Sequence, residues 1–229
     1  MLNICVLDIG GTSLKIWMPM APEAVKVETG KDFTPEDLVR EVKAVLGRAE
    51  IDRMSIGVPG SMRWGRPVEE PVNLGKGWLD FDFANAFGVP VRMLNDADMQ
   101  ALGGYEGGRM LYLGLGTGVG TTLIADGAIS PVALGLLPFK DGKKFEDFLT
   151  KKALERIGLR AWRTAVAKAA DLMRQATLAD YVMLGGSGAE RFETLPEWCR
   201  RGGNTNAYFG GLRMWEDIGV RAAMLGRAF

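Results

Sequence analysis

Asp8-Ile9-Gly10-Gly11-Thr12-Ser13-Leu14-Lys15 stands between two apolar runs, residues 4–7 and 14–17, so its glycines fall where two strands must reverse. A hairpin of this composition carries chemistry as well as a turn. Asp8 at a strand end suits a hydrated metal ion, Gly10 and Gly11 let backbone N–H groups approach an anion, and Thr12 and Lys15 add a hydroxyl and a positive charge. The ligand these features suggest is a metal-bound phosphate. By themselves the same residues also describe an ordinary Gly-Gly hairpin with an exposed lysine, so the choice rests on the remainder of the chain.

The pattern returns further on. Residues 109–115 and 121–125 read as strands and Gly116-Thr117-Gly118-Val119-Gly120 as the turn between them, an internal structural duplication. Two lobes, each with a glycine hairpin facing a shared cleft, would grip a phosphate chain from both sides. Other glycine motifs fail on spacing. A dinucleotide fingerprint opens a helix, whereas Thr121-Thr122-Leu123-Ile124 continues as strand. The chain has no Gly-Lys-Ser/Thr run of the P-loop kind, and Gly185-Gly186-Ser187-Gly188-Ala189 lacks the last glycine of a nucleophile elbow.

Between the two hairpins, residues 24–28 read as a third strand. Thr34-Pro35-Glu36-Asp37 then starts a helix with an N-cap, a proline at the first position and acids in the first turn. Met54-Ser55-Ile56-Gly57-Val58-Pro59-Gly60 is a strand ending in a Pro-Gly turn, where a backbone can line a cleft. The loop Asn73-Leu74-Gly75-Lys76-Gly77-Trp78 suits either a small-molecule pocket or a surface loop with a tucked-in Trp. A short helix near residues 81–87 and a strand over 91–94 lead to Asn95-Asp96. Asp96 lies at the carboxyl end of a strand and ahead of a helical pattern over 97–102, a place for a ligand group or for a helix cap.

Composition narrows the chemistry. Among 229 residues, Lys plus Arg and Asp plus Glu each total 28, so net charge calls for neither nucleic acid nor an anionic membrane. There is no histidine, which removes Ser-His-Asp and Cys-His schemes, HExxH zinc sites and imidazole bases together. An enzyme of this composition takes a carboxylate as its base. Cys5 and Cys199 form no CxxC pair or disulfide framework, which fits a reducing cytoplasm, and no apolar run reaches the length of a membrane span.

Residues 140–174 are helical in pattern and hold twice as many basic as acidic residues, suiting either a polyanion groove or solvated helix faces. Residues 181–184 form an apolar strand running into Gly185-Gly186-Ser187-Gly188, a tight approach fit for a phosphate tail. Residues 212–229 read as a helix with Met214, Trp215, Ile218 and Met224 available for packing back on the first lobe.

The ordered set of motifs resembles the ROK sugar kinases, most closely their polyphosphate glucokinase branch. It comprises Asp8 to Lys15, Gly57-Val58-Pro59-Gly60, Asn73 to Trp78, Asn95-Asp96-Ala97, Met99-Gln100-Ala101-Leu102, Tyr105-Glu106-Gly107-Gly108-Arg109, residues 113–120, Phe145-Glu146-Asp147 and the strand ending in Gly185-Gly186. The resemblance implies an α/β, duplicated actin-like and RNase-H-like ATPase fold with an interlobe cleft, usually as a homodimer. It divides the chain into a small lobe, 1–95, on which a C-terminal helix over about 212–229 packs, and a large lobe, 96–211, with the second turn and the donor site. It also implies Mg2+-dependent phosphoryl transfer from ATP or polyphosphate to a sugar hydroxyl. By position, Asp96 is then the general base, Asp8 places the metal, Gly10, Gly11, Thr12 and Lys15 form the first phosphate turn, and Gly116, Thr117 and Gly118 the second. Asn95, with Gly60 and Asn73, faces the acceptor, and Gly185 and Gly186 line the donor site.

One segment departs from the family. Where its members usually carry Glu-Leu-Gly-His, with the Glu and His on sugar hydroxyls, this chain has Ala133-Leu134-Gly135-Leu136. Each lost bond from a charged partner is worth roughly 1.5–3 kcal/mol, so the expectation is a kinase with altered or weakened hexose recognition. A silent phosphate-binding or regulatory protein, or a kinase for another hydroxyl compound, is the alternative. The family's Cys-rich zinc motif is absent and no structural zinc is expected.

Overall fold

The computed structural model describes residues 2–203 and 205–216. In chain order the elements are β1 (Ile4–Ile9), β2 (Ser13–Trp17), β3 (Val25–Glu28), α1 (Pro35–Leu46), β4 (Arg53–Val58), β5 (Met62–Arg63), β6 (Arg66–Pro67), α2 (Phe83–Phe87), β7 (Val91–Asn95) and α3 (Asp96–Gly104). They continue with β8 (Arg109–Leu115), β9 (Val119–Ala125), β10 (Ala128–Val132), a 3-10 turn (Leu134–Leu136), β11 (Pro138–Lys140), β12 (Lys143–Lys144), α4 (Glu146–Leu149), α5 (Lys151–Ile157), α6 (Leu159–Ala176), β13 (Tyr181–Gly185), β14 (Cys199–Arg201) and α7 (Asn206–Arg213).

Two five-stranded sheets repeat one topology, β3-β2-β1-β4-β7 and β10-β9-β8-β13-β14. In each, the first three strands are an antiparallel meander and the last two join in parallel. Among the parallel strands, β1, β4 and β13 are buried along nearly their whole length and read as near-continuous apolar runs. Along β1, Cys5, Leu7 and Ile9 pack with Leu38 and Val42 of α1, whereas Ile4 and Val6 share a cluster with Met99 and Leu102 of α3. Along β8, Leu111, Leu113 and Leu115 share a cluster with Trp162 and Val166 of α6, whereas Met110 and Tyr112 join the α3 cluster. The period-2 alternation of strands thus builds three cores from two sheets, with α3 and α7 in the middle layer.

Those two helices meet through glycine. A Cβ on Gly103 would sit 1.8 Å from the Asn206 carbonyl oxygen, and one on Gly210 would sit 1.8 Å from the Met99 carbonyl oxygen. Each helix therefore lays a glycine on the backbone of the other, four residues after the carbonyl it offers. α7 also docks on the first sheet: Ser55 Oγ donates to the Gly211 carbonyl at 2.6 Å and accepts from Trp215 Nε1 at 2.8 Å.

Two segment boundaries differ from the sequence expectation. α7 spans Asn206–Arg213 and so begins ahead of the helix expected over 212–229, of which residues 217–229, with Ile218 and Met224, lie outside the described residues. Residues 140–174 are a β11–β12 ribbon and three helices, because Thr150 caps α5 and Gly158, at φ +79°, breaks the path between α5 and α6.

Candidate active site

Both glycine hairpins open onto one cleft of about 790 Å3, with the N-terminal end of α3 in its wall. The parallel register of β1, β4 and β7 brings Asp8, Gly57 and Leu94 level across the sheet. The residues that follow β4 and β7 therefore emerge together at the carboxyl edge.

At the first turn, antiparallel pairing sets Asp8 opposite Lys15, and Lys15 Nζ donates to Asp8 Oδ2 at 2.8 Å. Burial pulls the ammonium pKa down, but the Asp8 charge and hydrogen bond outweigh it, so the net shift is upward. The loop is closed by Gly10 N–H on the Ser13 carbonyl at 2.8 Å. Thr29 adds two bonds, its hydroxyl donating to Gly10 O at 2.6 Å and its N–H to Thr12 O at 3.2 Å. A Cβ on Gly11 would come within 2.7 Å of Asn73 Cβ, so only glycine lets the turn approach that loop so closely.

The second turn is tied by Gly116 N–H to the Gly118 carbonyl at 3.2 Å, and the Lys151 N–H at the start of α5 donates to Gly116 O at 2.9 Å. Within its strands, Gly114 pairs with Gly120 one step inside the closing pair Leu115–Val119, as Asp8 pairs with Lys15 inside Ile9–Leu14. The two hairpins share a shape and differ in charge.

Asp96 opens α3. Asn95 caps the helix by accepting from Ala97 N at 2.9 Å, and its Nδ2 donates to Gly60 O at 2.8 Å, tying the Pro-Gly turn to the helix start. Ala97 N also donates to Asp96 Oδ1 at 2.9 Å. Burial, then the nearby Asp8 charge and, more weakly, Asp98 push the Asp96 carboxyl up to about 6 against the Ala97 bond that lowers it. Tyr112 Oη donates to Gln100 Oε1 at 2.7 Å, and burial with the Asp96 and Asp8 charges holds the phenol above its ordinary range.

Gly10, Gly11, Thr12, Asn73, Asn95, Asp96, Gly116, Thr117, Gly118 and Gly186 all line the cleft. Asp8 and Lys15 stand outside that lining as a linked pair, and Gly60 is represented by its neighbour Pro59. Gly185 is covered: a Cβ there would lie 2.0 Å from Tyr112 Oη. Thr29, Lys31, Gln100 and Tyr112 line the cleft without having been singled out individually. Gln100 follows Asp96 by one helical turn and was within reach of a spacing argument; the others depend on tertiary contact. Ala133 and Leu136 are exposed and outside the lining, though Gly135 between them packs a Cβ position 3.2 Å from Val119, which does line it.

No family model and no curated protein matches the sequence. Solved structures do. The chain is similar to the inorganic polyphosphate/ATP-glucomannokinase from Arthrobacter sp. strain KM at 24% identity, covering 92% of this chain and 97% of that one with a TM-score of 0.76. The fold is that of the ROK sugar kinases. The ROK hexokinase from Thermus thermophilus is 21% identical over 92% of this chain and 96% of its own, with a TM-score of 0.68. A ROK family transcriptional regulator, a homologue of the E. coli MLC protein, is 13% identical over 92% of this chain and 76% of its own, also with a TM-score of 0.68. The actin-like, duplicated α/β architecture expected from the sequence is therefore the observed one. Among the described residues no helix is long and apolar enough to cross a membrane.

Proposed function

We propose that this chain is a kinase that moves a terminal phosphoryl group from polyphosphate or ATP to a hydroxyl of a hexose-like acceptor, with Asp96 as general base. The observation that carries the reading is the placing of a carboxyl group with a raised pKa at the start of α3, in a cleft walled by two glycine turns. Phosphoryl transfer needs little more than that: a positioned hydroxyl, a group to take its proton, and donors arrayed on the phosphate. In this reading the turns at Gly10–Thr12 and Gly116–Gly118 hold the donor phosphates. Asn73 and Asn95 hold the acceptor, and Asp96 takes the hydroxyl proton as the oxygen attacks phosphorus. Asp8 would hold a divalent ion through water. Asp8 accepts one bond, from Lys15, among the described residues and has oxygen lone pairs left for a hydrated ion. Bound Mg2+ supplies charge stabilisation to the transferring group.

The polyphosphate donor and the hexose acceptor are supported by the name of the Arthrobacter enzyme and by the order of motifs. The apolar residues at Ala133 and Leu136 favour altered acceptor recognition. The same residues, with a regulator among the structures of this fold, support a second reading as a phosphate-binding regulatory protein. A coupled assay with each donor against a panel of hexoses and other alcohols separates the two. Transfer that drops roughly 10²–10⁴-fold in Asp96→Asn with donor binding retained is the expected result. Donor binding without transfer to any acceptor establishes the regulatory reading, and unchanged turnover in Asp96→Asn removes Asp96 from its role.

A further inference from the structure

One buried carboxylate in α3 is unused by that mechanism. Asp98 is 3% exposed and Thr122, on β9, is fully buried; the Thr122 hydroxyl donates to Asp98 Oδ1 at 2.5 Å. A buried charge this close to a catalytic group costs stability unless it is paired, and its partner comes from the strand that leaves the second glycine turn. β9 meets the start of α3 at two consecutive inward positions. A Cβ on Gly120 would lie 2.8 Å from Ala97 Cβ, so the strand runs against the residue after Asp96, and Thr122 reaches the next residue of that first turn, Asp98. On the neighbouring strand, Tyr112, paired with Thr122 across the ladder, bonds Gln100. α3 is thus stitched to the second hairpin along its length, while Asn95 stitches it to Gly60 of the first lobe.

We propose that Asp98, through the hydrogen bond it accepts from Thr122, is a positioning residue that holds the Asp96 carboxylate in register with the second glycine turn. The inference deepens the kinase reading and rests on it for its kinetic half. Thr122→Val keeps the volume and loses the bond; Asp98→Asn keeps an acceptor for Thr122 and loses the charge. The groups that act on Asp96 are Asp8 of β1, Lys15 of β2, Asp98 of α3 and Tyr112 of β8. Of these, Asp98 alone is altered by the two variants. Because its charge pushes the Asp96 carboxyl upward, Asp98→Asn lowers the Asp96 midpoint, whereas Thr122→Ser, which keeps both the hydroxyl and the Asp98 charge, leaves it at the wild-type value.

The experiment has two arms on the full chain. In the first, carbon-13 NMR of the aspartate carboxyls follows the Asp96 titration without substrate, assigned with Asp96→Asn; the expected result is a midpoint moved to lower pH in Asp98→Asn and unmoved in Thr122→Ser. In the second, Thr122→Val lowers kcat by roughly tenfold to a hundredfold with KM for both substrates changed less than about threefold, and Thr122→Ser recovers it. Folded variants with the wild-type midpoint and wild-type kcat overturn the positioning role. If Asp98→Asn does not fold, Thr122→Val carries both arms, since a carboxyl without its bond also changes its charge near Asp96. A wild type that titrates as expected but transfers no phosphoryl overturns the kinase reading and leaves the coupling of Asp98 to Asp96 in place.

Discussion

Asp96 combines two demands that oppose each other. In the proposed role of base it must be ionised, yet burial and the Asp8 charge raise its pKa to about 6. The free enzyme's kcat/KM should therefore fall on the acid side with an apparent pKa near 6, measurable in a pH profile, and a profile flat down to about pH 4.5 would dismiss Asp96 as the base. The same shift fixes a sign for stability. The folded state binds the Asp96 proton more tightly than the unfolded chain, so ionisation weakens the fold, a cost absent below the unfolded carboxyl value and complete above the folded one. Asp96→Asn should therefore raise stability by on the order of 1 kcal/mol at about pH 8 and by little at about pH 4, read from denaturant melts at the two pH values. The place of Asp96 at the junction of β7 and α3 was legible in the sequence, because an apolar strand runs directly into a helical pattern there, although the residues alone left a helix cap and a ligand group both open. Asp98 and Tyr112 were not, because their hydrogen bonds, to Thr122 and to Gln100, join α3 to strands that sequence periodicity places only within their own sheet.

Among the elements, the two hairpins and the α3–α7 crossing use glycine for different reasons, and substitution separates them. Gly118 has open space around a Cβ position, whereas Gly103 and Gly210 have a backbone carbonyl 1.8 Å away. Gly118→Ala should keep the melting temperature within a degree or two of wild type, as no contact is broken, while weakening donor binding by crowding the anion site. Gly103→Ala should cost roughly 3 kcal/mol or more, since the helices must part to admit the methyl group. Thermal melts and donor titrations of the two variants check this, and equal melting temperatures would refute the crossing as a tight contact. The duplication itself was readable from the two apolar-glycine-apolar runs. The helix breaks at Thr150 and Gly158 were not read, because the apolar spacing of α6 continues the pattern before them; a glycine at φ +79° overrides periodicity with backbone geometry. Thr34 and Pro35, by contrast, start α1 where the sequence expects it, with Thr34 accepting from Asp37 N and Asp37 accepting from Thr34 N.

For the whole molecule, net charge is zero and any grip on a long anion must come from local arrangement. The basic residues of 140–174, which suit either a polyanion groove or solvated helix faces, are spread over the β11–β12 ribbon and α4 to α6, and part of their charge is met locally. Lys140 lies 3.8 Å from Asp141, Lys144 3.6 Å from Glu146, and Arg163 3.3 Å from Glu193. Exposed pairs of this kind are worth little and exchange readily for a competing anion. Lys151 begins α5, where its N–H holds the second glycine turn. A long polyphosphate bound along these basic segments would meet more cations than ATP held at the turns. Ionic strength distinguishes the two donors, because each further phosphate contact steepens the loss of affinity as counterions compete. Between about 50 and 300 mM salt, KM for a long polyphosphate should rise roughly tenfold and KM for ATP less than about threefold. Replacing Lys143, Lys151 and Lys152 together by Gln should flatten the polyphosphate slope toward that of ATP. Equal slopes in the wild type would mean that the basic residues serve solvent and their acidic neighbours, and that the donor is held by the two glycine turns alone.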